Sequence, residues 1–556
     1  MQPETAPSRA KDLIASPRQP ARPWLILALV AVYAVSLAIV GSSFQPRTGF
    51  PLDDSWIHQT VARNFADFHS LGYFPHQVSS GSTSLLWTLV LSLNYTLFPH
   101  LNPVFFCLAI NATGLFAIGL MLLRIALVDG AHPLVALLWS AAPALDGNFV
   151  WLAFTGMEHI LFVTLSLAFL SLWLAPGSRH PLASAIAAGV ALGALVMTRP
   201  EGIVLSFLLL LPAFRTLRNH GVARRLSEAG VAALVAAPLA LCPFAVNLIT
   251  SHALLPVTFK GRKWMYSVHN GTPLDWRTQI VEQWITRLFK TVTPLDGSQL
   301  SMHGRHFVDA LAIAMLIPCA LGLWFLIRNR LWRTSLVCAW GAVHSLLYLA
   351  LLPTSGHGGR YQPFLLLLFL PLFALGLFTA AQLLKTSNVL GTRHVQRAII
   401  VPAACLLAIA GVSLTLWRRT LASDVTPIEG SHGAMAAYLH AELPQTIVAV
   451  FDIGRIGYTR IPYLLDLGGL TEPDYLDYLI RGQVPQYLSQ KGIVFVVLPS
   501  DGTKSAIGSE LGIETGRDMI LTPVHMDCTP ELIWQLAWIQ TKSAARCQQL
   551  NRIAFR

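Results

Sequence analysis

The segment FPLDDSWIHQTVAR, residues 50–63, contains two adjacent aspartates and begins seven residues after the first strongly apolar run ends at Ser43. Two neighbouring carboxylates repel each other and favour water, so we expect the pair to face water close to the membrane. Ile57, Val61 and Phe65 follow at helical spacing, which predicts a helix that begins at the aspartates and lies on the bilayer surface. One aspartate suffices to cap this helix, which leaves the other for chemistry.

The composition indicates a membrane protein. Of 556 residues, 54% are hydrophobic and 12% are charged, and the mean hydropathy is +0.55. Soluble proteins average about 25% charged residues, so this chain has too little polar surface to cover a globule in water. The net charge of +11 comes largely from basic connectors between apolar runs. This pattern favours positive-inside topology over nucleic-acid binding.

The apolar runs predict a polytopic α-helical protein with about 11 transmembrane helices. The candidate spans are 24–43, 84–98, 103–124, 132–148, 150–174, 182–214, 229–250, 308–327, 333–352, 361–382 and 397–417. An even number of crossings must separate a cytoplasmic N-terminus from a cytoplasmic segment 215–228. Therefore either 182–214 is a single bent span, or one short segment before it is re-entrant.

Basic connectors set the predicted orientation. Residues 215–225, 328–333 and 385–397 are rich in Lys or Arg and are expected in the cytoplasm. The basic residues before the first run, together with its length, favour an uncleaved anchor over a signal peptide.

Alternation of the spans then gives the expected domains. Residues 1–23 are a disordered cytoplasmic N-terminus, and 24–417 are the transmembrane domain. The outer loops are 44–82 and 251–307. Residues 418–556 form a small extracytoplasmic domain. We expect this domain to be α/β, because its short apolar runs TIVAVFDIG and GIVFVVLP are typical of strands.

Two of the seven cysteines, Cys528 and Cys547, lie in this polar C-terminal region. They can form a disulfide if the region is outside the cytoplasm, or remain two free thiols. The other five lie in apolar runs and are interpreted as small core residues.

A series of short motifs resembles the GT-C superfamily, membrane glycosyltransferases that use polyprenyl-phosphate sugars. The branch it resembles includes the mycobacterial terminal arabinofuranosyltransferases and related bacterial proteins. The matching segments, in order, are DDSWI at 53–57, ARN at 62–64, SSGSTSLLWTLVLSL at 79–93, FTGMEHILF at 154–162, MTRPEG at 197–202, LPVTFKGRK at 255–263, GGRYQPFLLLLFLP at 358–371 and FDIGRIGYTRIPYLLDLGGLTEPD at 451–474.

The resemblance implies a catalytic role for Asp53 or Asp54. Asp54 is favoured as the base or metal-linked acid, with Asp53 capping or supporting. Glu158 is a second acid inside an apolar run, where acids are costly and usually functional; the alternative is a structural pair with an arginine or histidine. Arg199 and Glu201 are interpreted as a local pair at a helix break.

Basic residues are the candidates for binding the donor phosphate. Lys260, Arg262 and Lys263 form a cluster on the predicted outer side, and Arg360 follows a glycine-rich loop at a helix start. Binding of ordinary anionic lipid is the alternative for the cluster. The histidines His303, His306 and His357 have no tight ligand spacing and are interpreted as solvated loop residues, so no metal site is assigned. A divalent cation is compatible with the site, but the sequence does not imply one.

These features predict an inverting glycosyltransferase of the bacterial inner membrane, active on the outer face. Its donor would be a polyprenyl-phosphate sugar and its acceptor a hydroxyl of a glycan or lipid, deprotonated by an aspartate. Asp452, Asp466 and Glu472 match the resemblance in the outer domain and hint at acceptor contact, or reflect strand ends and turns. A transporter or flippase of a polar or lipid-linked solute is the alternative function.

Overall fold

A computed structural model gives the arrangement of the chain. The residues it describes are 23–44, 47–74, 82–174, 180–210, 222–252, 254, 259, 302–351, 356–386, 392–459, 464–501, 505–516, 519–529, 535–536, 539–540 and 545–555. The predicted donor-phosphate residues Lys260, Arg262 and Lys263 lie outside these ranges, as do the side chains of His303 and His306.

Thirteen helices precede the C-terminal domain in the described residues. They are α1 (Pro23–Gly41), α2 (Asp53–Phe68), α3 (Leu85–Leu97), α4 (Pro103–Val128), α5 (Pro133–Ala141), α6 (Gly147–Leu152), α7 (His159–Trp173), α8 (Pro181–Thr198), α9 (Val222–Ser251), α10 (Met302–Arg328), α11 (Trp332–Leu351), α12 (Pro363–Thr386) and α13 (Thr392–Pro427). Short 3-10 segments cover Ala142–Leu145, Pro200–Leu210 and His357–Gly359, and a π-helical turn, Ile428–His432, follows α13.

Seven described helices are long and apolar enough to cross a membrane, and shorter apolar helices accompany them. The chain is therefore a multi-pass membrane protein, as the composition predicts. Helix α3 has only 13 residues and packs against α2, which favours the re-entrant interpretation of the run 84–98. The run 182–214 is broken at Arg199, whose extended backbone precedes Pro200. A residue before proline is disfavoured in the α conformation, so α8 ends there.

Two sets of contacts mark opposite ends of the helical bundle. At one end, Arg333 at the start of α11 pairs with Asp129 at 3.0 Å and donates to the Leu174 carbonyl at 2.7 Å, joining the C-terminal ends of α4 and α7. This end carries the basic connector 328–333. At the other end, α7 begins beside Glu158. Because α7 runs from one end to the other, the acid-rich region lies far from the basic connector.

The C-terminal domain is α/β, as expected. Its helices are α14 (Gly433–Glu442), α15 (Ile453–Tyr458), α16 (Pro473–Ile480), α17 (Val484–Gln490) and α18 (Ala506–Glu510); its strands are β1 (Val448–Val450), β2 (Leu464–Asp466), β3 (Phe495–Ser500), β4 (Met519–Thr529), β5 (Gln535–Leu536), β6 (Ile539–Gln540) and β7 (Arg546–Phe555). The main sheet has the order β2-β1-β3-β7-β4, in which β1 is parallel to both neighbours and β7 is antiparallel to both of its own. Strands β5 and β6 form a separate antiparallel pair.

Helix α2 lies between the bundle and this domain. One face places Ile57 and Val61 in a core with Val448 and Ile453 of the domain. The other face places Trp56 in a cluster with residues of α3 and α4. Residues Ser55 to Asn64 are all buried, so protein encloses α2 on both faces, which the expectation of a helix on the bilayer surface did not include. Burial of each large apolar side chain contributes about 1.5–3 kcal/mol, which holds α2 against both bodies.

Strands β4 and β7 are joined by a disulfide between Cys528 and Cys547, which face each other in the ladder. Of the two interpretations of these cysteines, the disulfide is therefore the one that the structure adopts. Such bonds persist in oxidising compartments outside the cytoplasm.

We expect the purified protein to contain no free thiol at Cys528 or Cys547. Reduction, or the double substitution of both residues by serine, should lower the stability of the C-terminal domain by about 3 kcal/mol, because a loop of this length loses the cross-link. Intact-mass analysis with thiol alkylation, followed by thermal unfolding, measures both effects. Quantitative alkylation of both residues without prior reduction would contradict this expectation.

Candidate functional site

The two adjacent aspartates have different partners. Both carboxylate oxygens of Asp53 accept hydrogen bonds from α15: the Gly454 N–H donates at 2.7 Å and the Arg455 N–H at 2.8 Å. His432 Nδ1 lies 3.2 Å from the same carboxylate. A side chain at Gly454 would collide with the Asp53 backbone. The D-x-G segment at 452–454 therefore needs its glycine for this approach.

Asp53 thus caps a helix of the C-terminal domain and not its own helix. The cap position of α2 is Leu52, which has no capping side chain, so the prediction that one aspartate caps α2 is wrong. Both aspartates nonetheless occupy the first turn of α2, where the helix dipole favours negative charge. Asp452, at the cap position of α15, makes no capping bond of its own.

Asp54 faces the bundle instead. Its Oδ2 accepts a hydrogen bond from Arg360 Nη2 at 2.6 Å, and its side chain is 31% exposed. Arg360 follows a turn in which Gly356, Gly358 and Gly359 all have positive φ. The Cβ of any other residue at Gly358 would overlap the ring of Trp151. This close approach fixes the turn against α6 and so positions Arg360 over Asp54.

A second contact between α2 and the domain surrounds the pair. Trp56 Nε1 donates to Glu429 in the π-helical turn at 3.0 Å, and Glu429 pairs with Arg455 at 2.9 Å. The Arg455 guanidinium also lies 5.1 Å from the centre of the Trp56 ring. These contacts connect residues far apart in sequence and hold the first turn of α2 in one position.

Glu158 lies deeper and is 1% exposed. It accepts from Arg199 Nη1 at 2.7 Å, and Arg199 Nε also donates to Glu201 at 2.6 Å. The Tyr348 hydroxyl donates to Glu201 at 2.8 Å. The expected local pair of Arg199 and Glu201 is present, and Glu158 takes the structural pairing with arginine that was its alternative. A buried acid held in this way is a poor candidate for a base.

Two tyrosine rings separate the buried cluster from the Asp54–Arg360 pair. Tyr348 and Tyr361 stack with centroids 5.8 Å apart, and the Arg199 guanidinium lies 5.7 Å from the centre of the Tyr361 ring. The site therefore has an outer charged pair that solvent reaches and an inner charged cluster that it does not.

The acids of the C-terminal domain are largely structural. Asp466 is fully buried and accepts from the backbone N–H groups of Gly468 at 2.7 Å and Thr471 at 2.8 Å. Burial raises the pKa of Asp466 to about 6, although these donors favour its charged form. Asp452 accepts from the Gln548 amide at 2.9 Å. Burial raises the pKa of Asp452. The interaction with His432 lowers this pKa, whereas the negative charge of Asp53 raises it further.

Comparisons with known proteins identify the fold. Residues 422–542 match a family described only as a domain of unknown function, DUF8728, and no curated protein sequence matches the chain. ArnT from Cupriavidus metallidurans bound to undecaprenyl phosphate superposes with a TM-score of 0.53 at 14% identity, covering 94% of this chain and 97% of ArnT. AglB, an oligosaccharyltransferase from Archaeoglobus fulgidus solved with an inhibitory peptide and a dolichol-phosphate, has a TM-score of 0.50 at 12% identity. This match covers 85% of this chain and 69% of AglB.

The chain has the GT-C fold. The fold that the motif resemblance implies is thereby confirmed. A mycobacterial arabinofuranosyltransferase, AftD, also matches over 97% of this chain at 15% identity, with a TM-score of 0.47; this chain spans 42% of AftD.

Several residues that complete the GT-C site are not evident from the sequence. His432 and Glu429 precede the domain sheet, and Gln548 lies on β7. His58, on α2, has its Nε2 3.8 Å from Glu158. Each is an isolated polar residue without a motif, and its partners are remote along the chain. The one usable signal was the position of His58 four residues after Asp54, on the same helical face.

His357 is exposed, as expected of a solvated loop residue, but it also has an acidic partner. Its Nε2 lies 3.2 Å from Asp424 on α13, and its side chain is 47% exposed. In the part of the chain that the structure describes, no group of three or more His, Cys, Asp or Glu side chains is arranged to hold a metal ion.

Substitution Asp53→Ala should loosen the contact between α2 and α15, because two backbone N–H donors and His432 lose their acceptor. We expect a loss of about 1–3 kcal/mol at this contact. Hydrogen exchange at Gly454 and Arg455 measures it directly. The matched control is Asp67→Ala, an exposed acid at the far end of the same helix. Unchanged exchange at both amides would contradict the capping role.

Proposed function

We propose that this protein is a membrane glycosyltransferase that moves a sugar from a polyprenyl-phosphate donor to an acceptor hydroxyl, with Asp54 as the general base. The GT-C fold supports this proposal. So do the carrier lipids bound to two proteins of similar structure, undecaprenyl phosphate in ArnT and dolichol-phosphate in AglB.

The observation that carries the proposal is that the two adjacent aspartates have different partners and different exposure. A general base must reach the proton that it removes. Asp53 has both oxygens occupied by the C-terminal domain, whereas Asp54 lies at the bundle side of the same turn and is partly exposed. Asp54 is thus the carboxylate placed to meet substrate, and Asp53 holds the helix that presents it.

The reaction follows from these positions. The Asp54 carboxylate takes the proton of the acceptor hydroxyl, and the hydroxyl oxygen attacks the anomeric carbon. The bond between that carbon and the phosphate oxygen breaks on the opposite side, so the configuration is inverted. The electron pair leaves with the phosphate, releasing polyprenyl phosphate.

Arg360 is the described residue best placed to stabilise this leaving group. A guanidinium has five N–H donors in a fixed fork, so Arg360 can hold Asp54 and a phosphate oxygen together. Its Nε is buried and makes no hydrogen bond within the described residues. Lys260, Arg262 and Lys263 belong to the same proposal as further phosphate contacts. Glu158 is assigned a positioning role through Arg199.

We place the head of the donor's lipid part beside a small, mostly apolar cavity at this end of the bundle. The cavity lies between the α2–α3 connection and the C-terminal ends of α8 and α9. Its lining residues are Leu71, Ser82, Thr83, Leu85, Val196, Met197, Pro200, Pro243, Phe244, Val246 and Asn247.

The active site and residues 418–556 are placed on the outer face of the bacterial inner membrane. The disulfide supports this, since oxidising compartments lie outside the cytoplasm. The basic connector 328–333 at the opposite end of the bundle supports it as well. Residues 418–427 continue α13, so the membrane domain joins the outer domain through an unbroken helix.

Substitution Asp54→Asn tests the function. We expect transfer from synthetic polyprenyl-phosphate sugars to acceptors extracted from native membranes to fall about 10²–10⁴-fold, since the base is lost and the shape is kept. Asp67→Asn, on the same helix, should retain wild-type activity.

The proposal fails if Asp54→Asn transfers sugar at the wild-type rate. It also fails if reconstituted wild-type protein exchanges a solute across the membrane without transferring any sugar, because that result identifies a carrier.

A further inference from the structure

The turn that carries Arg360 also carries an anchored histidine. His357 Nε2 lies 3.2 Å from Asp424 Oδ2; the Asp424 side chain is 7% exposed and the His357 side chain 47%. A carboxylate buried to this extent is stable only when it is paired. The contact with Asp424 therefore holds the imidazole at this position, while much of the ring stays in contact with solvent.

The bundle fixes the position of this turn. Gly358 is buried against Trp151, with no room for a side chain. The His357 ring lies 5.8 Å from Trp151, which in turn packs 5.4 Å from Trp417 on α13, the helix that bears Asp424. His357 is thus held by α6 and α13 and does not depend on the conformation of an outer loop.

His357 and Arg360 leave the same tight turn. The Arg360 N–H donates to the His357 carbonyl at 3.4 Å. Each side chain has one acidic partner from a different helix: Asp54 on α2 for Arg360, and Asp424 on α13 for His357. The turn therefore carries two basic side chains, one of which pairs with the proposed general base.

A protonated imidazole has two N–H donors. Nε2 faces Asp424, so Nδ1 is the nitrogen left for a ligand. Charge-assisted hydrogen bonds to phosphate are short and strong, and the adjacent guanidinium already favours an anion at this place. The phosphate that leaves during transfer would need such donors on the turn that bears Arg360, the partner of Asp54.

We propose that His357, held by its contact with Asp424, is a second hydrogen-bond donor to the phosphate of the polyprenyl-phosphate donor and product, beside Arg360. The inference rests on the proposed function and adds two residues to its site. His357 touches the phosphate and Asp424 acts as a positioning residue through His357.

Binding of undecaprenyl phosphate to the full-length protein in nanodiscs tests this, with undecaprenol as the probe that lacks the phosphate. His357→Gln should weaken undecaprenyl phosphate binding about 10-fold or more and leave undecaprenol binding unchanged. Asp424→Asn should weaken it in the same direction, and the double variant should bind no more weakly than His357→Gln, because the two act as one unit. The control is His440→Gln, an exposed histidine on α14.

Wild-type affinity of His357→Gln for undecaprenyl phosphate overturns the inference. Equal losses for both lipids also overturn it, because they indicate a structural role for the turn. Additive effects of the two substitutions overturn the role given to Asp424. If the wild-type protein does not prefer undecaprenyl phosphate to undecaprenol, the donor class in the proposed function fails instead.

Discussion

The structure depends on the carboxylate of Asp53, which belongs to the membrane bundle but caps a helix of the C-terminal domain. Residues 401 positions apart meet in this contact. The Asp53 carboxylate supplies the N-terminal cap that α15 does not provide for itself, and so fixes how the C-terminal domain packs against α2. Hydrogen bonds between a carboxylate and backbone N–H groups are stronger than neutral ones. The direction of the Asp54 side chain follows from the fixed position of Asp53, because adjacent side chains on a helix point in different directions.

The same principle organises the other charged groups. Each carboxylate near the site has a basic or N–H partner from another element: Arg360 for Asp54, Arg199 for Glu158 and Arg455 for Glu429. Charges in a low-dielectric environment are tolerated only when paired in this way. The pairs therefore connect the helices as well as serving chemistry. The outer pair differs from the inner cluster mainly in its exposure, and our proposal of Asp54 as the base rests on this difference.

Much of this arrangement could be predicted from the sequence. The apolar runs predicted the membrane helices, because a helix of about 20 apolar residues has the length needed to cross the hydrocarbon core of a bilayer. Proline after Arg199 predicted the break at 197–202, and the alternating short runs predicted the α/β domain. The motif order predicted the GT-C fold, which the structural comparisons confirm. Asp54 and Arg360 were both predicted as site residues from the sequence, and the structure brings these two side chains together.

The partners of these residues could not be predicted. A helix start with two aspartates indicates local capping, and nothing in the segment reveals that α15 is a better partner for Asp53. His432, Glu429 and Asp424 are single polar residues whose significance comes only from three-dimensional contacts. Likewise, α2 was expected at the bilayer surface because its amphipathic pattern fits a lipid boundary as well as the boundary between two protein bodies.

The most direct test of the central claim is a density map of the protein with undecaprenyl phosphate bound. We predict that the phosphate lies within hydrogen-bonding distance of Arg360, on the Asp54 side of α2, and that Asp53 keeps its bonds to Gly454 and Arg455. A phosphate bound far from Asp54 and Arg360, or an Asp53 carboxylate released from α15 to contact the ligand, would contradict the account.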